Sequence, residues 1–232
     1  MRSGQTRQRG TSIVAIVAMT AMTAACVSGG EVRRPVRASA KPRPRPAPAI
    51  PNDVAFRQCA ANLTALAVSY QPLPNETKGS GCALNGTIKL LDYGVPTTNL
   101  GPMTCTVATP FTAWVRNGVV PSARLYLGAD VATVETFGTY ACRNVVGNPG
   151  MAGKRSEHAH ANAVDISGFV LTDGRRISVE KHWTAGGPEA QFLRRIRESA
   201  CKRFKTVLSP DYNAAHYNHF HFDMGGKGGY CR

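Results

Sequence analysis

The chain has 232 residues and a formal net charge of +14. The charge is unevenly spread: residues 1–50 hold nine Lys/Arg against the single acid Glu31, a net +8, which leaves only +6 for residues 51–232. A mildly basic body suits an acidic partner such as a cell-wall polymer or anionic lipid and is a weak argument for nucleic acid, while seven cysteines without a CxxC pair argue against a cysteine zinc site.

Residues 1–25 begin with Arg2, Arg7 and Arg9 and continue into an apolar, small-residue run from Ile13 to Ala25. That run is shorter than the roughly 20 apolar residues a bilayer span requires. A basic start, a short apolar middle and a small-residue exit describe an export signal, and export also argues against nucleic acid as a partner. The exit Thr23-Ala24-Ala25-Cys26 resembles the lipobox of bacterial lipoproteins, although Thr23 stands where that box usually opens with Leu. The resemblance implies a lipid anchor at Cys26, and with it a membrane as partner; ordinary cleavage near Ala25 is the alternative. The protein is then expected in the cell envelope or periplasm, an oxidising compartment. Setting Cys26 aside leaves Cys59, Cys82, Cys105, Cys142, Cys201 and Cys231, an even set expected to form three disulfides. Six cysteines allow 15 pairings. Sequence neighbours, 59–82, 105–142 and 201–231, are the favoured set, but spacing alone does not decide it.

Residues 26–51 read as a linker. Six of the fifteen prolines fall between Pro35 and Pro51, interleaved with Arg33, Arg34, Arg37, Lys41, Arg43 and Arg45. Proline alternating with like charge favours an extended coil that reaches at most roughly 75–80 Å, a tether rather than a domain. Residues 52–232 suffice for one domain with a real core. Asn52 or Asp53 caps a helix predicted through Val68, with Phe56, Cys59, Leu63 and Leu66 at helical spacing. Thr87–Asp92 reads as a strand ended by Gly94, and 103–117 as a helix stopped by Asn117-Gly118. Val131–Glu135 and Thr139–Cys142 read as strands split at Gly138. Ala163–Val170 is a further strand, turned by Asp173-Gly174 into Arg176–Val179. Pro188–Phe204 is predicted helical, with Phe192, Ile196, Ala200 and Phe204 on one stripe, and His219–Asp223 forms a terminal strand. The expected class is α+β, with helices packed on a mainly antiparallel sheet.

Five of the six histidines lie in two short clusters, SEHAHANAVDIS (156–167) and HYNHFHFD (216–223). Strand parity puts Ala163, Asp165 and Ser167 on one side and Val164 and Ile166 in the core. It likewise puts His219, His221 and Asp223 on one side, with Phe220 and Phe222 inward. Pairing of these strands brings a carboxylate opposite imidazoles, the donor types of a catalytic zinc with an open position. Asp223 suits orienting a ligand imidazole or pairing with a lysine. His160 reads as a surface residue, and His182 beside Trp183 as packing.

Ser156-x-His158-x-x-Ala161-x-Ala163-x-Asp165 resembles the S-x-H-x-x-G-x-A-x-D motif of zinc D-alanyl-D-alanine carboxypeptidases and dipeptidases. His219-x-His221 resembles the second motif of penicillin-insensitive murein endopeptidases. The segment from Asp53 to Cys231 also resembles the extensin-like C-terminal domain family of bacteria, through SEHA-x-ANA-x-DI, VLSPDYN and H-x-x-HFH. The resemblance implies a zinc-peptidase-like fold, with His158, Asp165 and His221 as zinc ligands. It makes His219 and His216 neighbouring or acid/base groups and lets Ser156 touch the substrate. Tyr140-x-Cys142-Arg143 resembles an S-x-Y-R element, which implies that Arg143 binds the substrate carbonyl and its developing oxyanion. Two positions depart from the pattern. Ala161 replaces the motif glycine, which would narrow backbone approach near the metal, and Asn218 replaces the glutamate that serves the carboxypeptidases as general base. The resemblance thus implies a zinc-dependent hydrolase of peptidoglycan peptides in which a histidine takes the base role. The other reading is a non-catalytic zinc-containing wall-binding module.

Overall fold

The computed structural model describes residues 49–232, so the expected export signal, Cys26 and most of the linker lie outside the described residues. From the N-terminus, α1 (Val54–Ala65) leads to β1 (Ser69–Pro72), the hairpin β2 (Glu76–Gly79) and β3 (Cys82–Leu84), β4 (Thr87–Asp92), β5 (Thr97–Thr98) and β6 (Met103–Thr104). Next come α2 (Cys105–Trp114), a π-helical turn (Val115–Val119), α3 (Val120–Leu127) and β7 (Val131–Gly138). The C-terminal half holds β8 (Ala163–Leu171), β9 (Arg176–Ser178), α4 (Val179–His182), α5 (Pro188–Cys201), β10 (Thr206–Leu208), β11 (Phe220–Asp223) and β12 (Tyr230–Cys231). No helix among the described residues is long and apolar enough to cross a membrane.

The main sheet runs β12-β10-β11-β8-β7-β5, with β9 paired to the far end of β8. Its centre is antiparallel, whereas the outer pairs β10–β12 and β5–β7 are parallel. The class is therefore α+β, with a sheet more mixed than expected. Alternation decides what each face does. Val164 and Ile166 of β8 and Phe220 and Phe222 of β11 are fully buried in the core. Trp114 packs edge-on against Phe222 at 5.1 Å between ring centroids, and its indole N–H donates to Ile196 O of α5 at 2.8 Å. This helix-covered face leaves the opposite face of β8 and β11 for polar side chains.

Several boundaries differ from the sequence reading for identifiable reasons. Asp53 does cap α1, its Oδ1 accepting from Phe56 N at 2.9 Å. The helix ends at Ala65 rather than Val68, because Ala67 turns left-handed (φ 51°). The helix predicted to stop at Asn117-Gly118 continues instead: Val120 N donates to Val115 O across a widened turn, and α3 runs on to a left-handed Gly128. Gly118 is needed there, since a Cβ would collide with Ser199 of α5. Tertiary packing outweighs the local stop signal. Residues 139–142 are not a strand. The backbone leaves the sheet at Gly138 (φ 113°) and attaches to the turn carrying His158. α5 ends at Cys201 rather than Phe204, which stacks on Phe222 at 4.9 Å.

All six expected cysteines are paired, but in a different order. The bonds are Cys59–Cys105, Cys82–Cys142 and Cys201–Cys231, so the favoured 59–82 and 105–142 pairs are corrected and 201–231 stands. Spacing could not reveal this, because α1 packs on the start of α2 and the β2–β3 hairpin lies beside residue 142. Non-reducing peptide mapping is expected to recover these three links, with no free thiol among the six cysteines and, if Cys26 is lipidated, none in the mature protein. A 59–82 or 105–142 peptide would contradict the arrangement.

Candidate metal centre

β8 and β11 run antiparallel with His221 directly opposite Asp165 and the core pairs Phe222↔Val164 and Phe220↔Ile166 on either side. Period-2 alternation therefore projects both functional side chains from the face away from the helices. His158 arrives from a 3₁₀ turn, Glu157–His160, capped by Ser156, whose Oγ accepts from His158 N at 3.3 Å. Residues 139–143 hold this turn in place, with Ala141 N donating to His158 O and Ser156 N to Arg143 O, each at 3.1 Å. Ala161 closes the turn at φ 52° and is fully buried. Its departure from the motif glycine thus bears on the left-handed backbone, at about 1–2 kcal/mol for an L-residue.

Three donors converge. His158 Nε2 lies 3.1 Å from Asp165 Oδ1 and 3.1 Å from His221 Nδ1, and His221 Nδ1 lies 2.9 Å from Asp165 Oδ1. The second nitrogen of each ring fixes which atom carries the lone pair. His158 Nδ1 donates to the Thr139 carbonyl at 3.1 Å, and a carbonyl can only accept. His221 Nε2 donates to Asp223 Oδ2 at 2.9 Å, while Asp223 Oδ1 is engaged by Gly225 N at 2.8 Å. Both neutral rings therefore aim lone pairs at a carboxylate oxygen, and three acceptors face one another with nothing to donate. Such a triangle, with all three residues buried, calls for a positive charge at its centre.

Without a metal that charge is a proton. Burial opposes the charged form of His221, but hydrogen bonds and attraction from Asp165 and Asp223 override it and raise its pKa to about 9. Burial likewise pushes Asp165 upward, and the hydrogen bonds from His158 and His221 outweigh it and hold the carboxyl well below the usual range. The donor set also fits a metal. His158, Asp165 and His221 each offer one ligand atom, all mutually within 4.8 Å. The observed 2.9–3.1 Å separations approach the edge of about 3.3 Å in a tetrahedron with bonds of about 2.0–2.1 Å. Two nitrogens and one oxygen, with Asp223 and the Thr139 carbonyl behind the rings, match a zinc site with outer partners.

His221 opens onto a cleft of about 550 Å³ that is also lined by His216, His219, Arg143, Ser156 and Asp223. His219 Nε2 stands 3.7 Å from Asp165 Oδ1, and its Nδ1 donates to Asn218 Oδ1 at 2.8 Å. Burial, then repulsion from His221 and His158, lowers the His219 pKa against the pull of Asp165. Burial, followed by repulsion from His221 and His219, lowers that of His216 to about 4. Both shifts favour the neutral ring. Arg143 is half-buried at the rim. Val145, Val146, Met151, Leu208 and Tyr212 supply an apolar wall.

The structure thus gathers every chemistry-bearing residue singled out in the two motifs, while His160 is exposed and His182 Nδ1 accepts from Ser178 N beside α4. Sequence reasoning missed the Thr139 carbonyl, which no residue type announces, and the apolar wall, whose residues come from separate segments of the chain. It also did not foresee that Asn218 would bond the ring of the next residue. Searches among curated proteins and among solved structures each gave no match. The family model described as Extensin-like protein C-terminus matches residues 57–232. That match spans most of the chain and nearly all of the disulfide-linked body, and the chain belongs to the extensin-like C-terminal family.

Proposed function

We propose that this protein is a zinc-dependent hydrolase of the cell envelope that cleaves peptide bonds in peptidoglycan. The observation that carries the reading is the triangle of His158 Nε2, Asp165 Oδ1 and His221 Nδ1, whose His221 lines a cleft large enough for a short peptide. The motif resemblance to zinc carboxypeptidases and murein endopeptidases, and with it a zinc-peptidase type of fold, supports it. Three disulfides suit an exported protein, and a lipid anchor at Cys26 with a proline-rich tether would hold the domain near a membrane.

Zinc held by these residues supplies a Lewis acid and an acidified water. The protein's own groups do the rest. His219, neutral and with Nε2 free of its Asn218 bond, accepts a proton at that atom and returns it to the leaving amine. The Arg143 guanidinium binds the substrate carbonyl as charge develops on it. Ser156 at the cleft edge touches the peptide, and the apolar wall displaces water around it.

A second reading, a zinc-stabilised module that binds wall polymer without cleaving it, draws on two observations. Asn218 occupies the place of the relatives' glutamate, and His219 stands close enough to Asp165 to close the site. Incubating zinc-loaded protein with purified muropeptides and reading products by mass spectrometry separates the two. Hydrolysis is expected, abolished by a chelator and restored by zinc. Muropeptides left intact at every pH would favour the module.

The metal-free triangle already holds a proton below pH 9. Zinc must displace it, so binding at pH 7.5 is expected to release about one proton. Apparent affinity should climb about tenfold per pH unit below about pH 9 and flatten above it. Calorimetry in buffers of different ionisation enthalpy measures the release; zinc binding with no proton released would contradict the assignment. The same proton stabilises the metal-free fold below the ordinary histidine range, and that stability is lost as pH rises through about 9.

A further inference from the structure

Both cleft histidines outside the donor triangle are held at Nδ1 by an asparagine. Asn213 Oδ1 lies 2.8 Å from His216 Nδ1, and Asn218 Oδ1 lies 2.8 Å from His219 Nδ1. The Asn213 amide is oriented independently of the ring. Its Nδ2 donates to Gly147 O at 2.9 Å, and its Oδ1 accepts from Ala215 N at 3.0 Å. Flipping it would set donor against donor and acceptor against acceptor. Asn213 is itself tightly seated: it caps the 3₁₀ turn Ala214–His216, and Gly147 packs so close that a Cβ there would meet Ala215 Cβ at 2.7 Å. The Asn213 oxygen can only accept, so the His216 ring must carry its proton on Nδ1 and its lone pair on Nε2; the Asn218 oxygen faces His219 Nδ1 in the same way. In His219 that lone-pair atom is the one 3.7 Å from Asp165 Oδ1.

We propose that Asn213 and Asn218 are positioning residues that lock His216 and His219 as Nδ1–H tautomers, so that both rings offer Nε2 to the cleft as acceptors. Free histidine in water prefers the opposite, Nε2–H form, so the asparagines act against the ring's own bias. Two acceptors beside the donor triangle select an occupant with protons to give: a water, or the N–H groups of a peptide. That these rings move protons in catalysis rests on the hydrolase reading above; their tautomeric state does not. Asn218, which stands where the relatives carry a general base, thereby acts through the ring of its neighbour.

Long-range ¹⁵N–¹H correlation spectra of the histidine rings test this at pH 7.5, with the protein metal-free and again with zinc added. His216 and His219 are expected to give the Nδ1–H pattern in both states. Asn218→Ala should lose it at His219 alone, and Asn213→Ala at His216 alone, each moving toward the Nε2–H form. A wild-type ring already in the Nε2–H form, or an alanine variant with its ring pattern unchanged, would overturn the proposal. If Asn213→Ala fails to fold because its turn is lost, the wild-type spectrum and Asn218→Ala decide the matter. On muropeptides each folded variant should keep its zinc and its KM while kcat falls about 10–100-fold, as for comparable outer partners. A wild type that cleaves nothing would sink the hydrolase reading and leave the tautomers to the spectra.

Discussion

Replacing Asp165 with alanine should remove zinc and turnover together. Asp165 supplies one of three donors, and its oxygen is the one that both imidazoles approach, at 3.1 and 2.9 Å. A complete structural ligand set is worth about 10–16 kcal/mol. Loss of one donor should therefore weaken binding by at least about 10²–10³-fold, enough to strip the metal on dialysis. Asp165→Asn is the stricter variant, because it keeps the volume between the strands and removes only the charge. It should fold, as judged by circular dichroism and intact disulfides, and still lose the metal. One zinc per chain retained by both variants would show that the ion sits elsewhere.

His219→Ala should do the opposite: keep the zinc and lose most of the turnover. His219 is outside the group of donors that lie mutually within 4.8 Å, yet its Nε2 stands at the edge of the site. General acid–base assistance is typically worth about 10²–10⁴-fold, and kcat should fall by that amount with metal content unchanged. Arg143→Ala should likewise spare the metal, because the guanidinium is not among the converging donors, and should lower kcat if it meets the developing negative charge as proposed. If His219→Ala strips the zinc and the wild type leaves muropeptides whole, His219 is a fourth ligand that closes the site. The binding-module reading then prevails.

The site was legible in the sequence because strands encode direction. Period-2 alternation in Ala163–Ser167 and His219–Asp223 separated core residues from polar ones, and the pairing of His221 with Asp165 follows from two strands showing their polar faces to the same side. The donor that arrives from outside the sheet was less accessible to such reasoning. His158 sits on a 3₁₀ turn with no periodicity, and only its motif marked it. Its orientation depends on the Thr139 carbonyl, and thus on residues 139–143, which read locally as a strand. Those residues leave the sheet because Gly138 turns them and because Cys142 is tied to Cys82. That disulfide joins segments 60 residues apart, a relation set by topology rather than by local preference. The helix boundary missed at Asn117-Gly118 has the same origin. Gly118 reads as a stop signal in isolation, but here it lets α5 approach, and the packing of Trp114 and Val119 carries the helix onward.

Anomalous diffraction at the zinc absorption edge, from crystals of the zinc-loaded protein, tests the central claim most directly. One strong peak is expected at about 2.0–2.2 Å from His158 Nε2, Asp165 Oδ1 and His221 Nδ1, with Asp223 still bonded to the far nitrogen of His221. A peak bound elsewhere, or none at this triangle in protein that has taken up zinc, would contradict it.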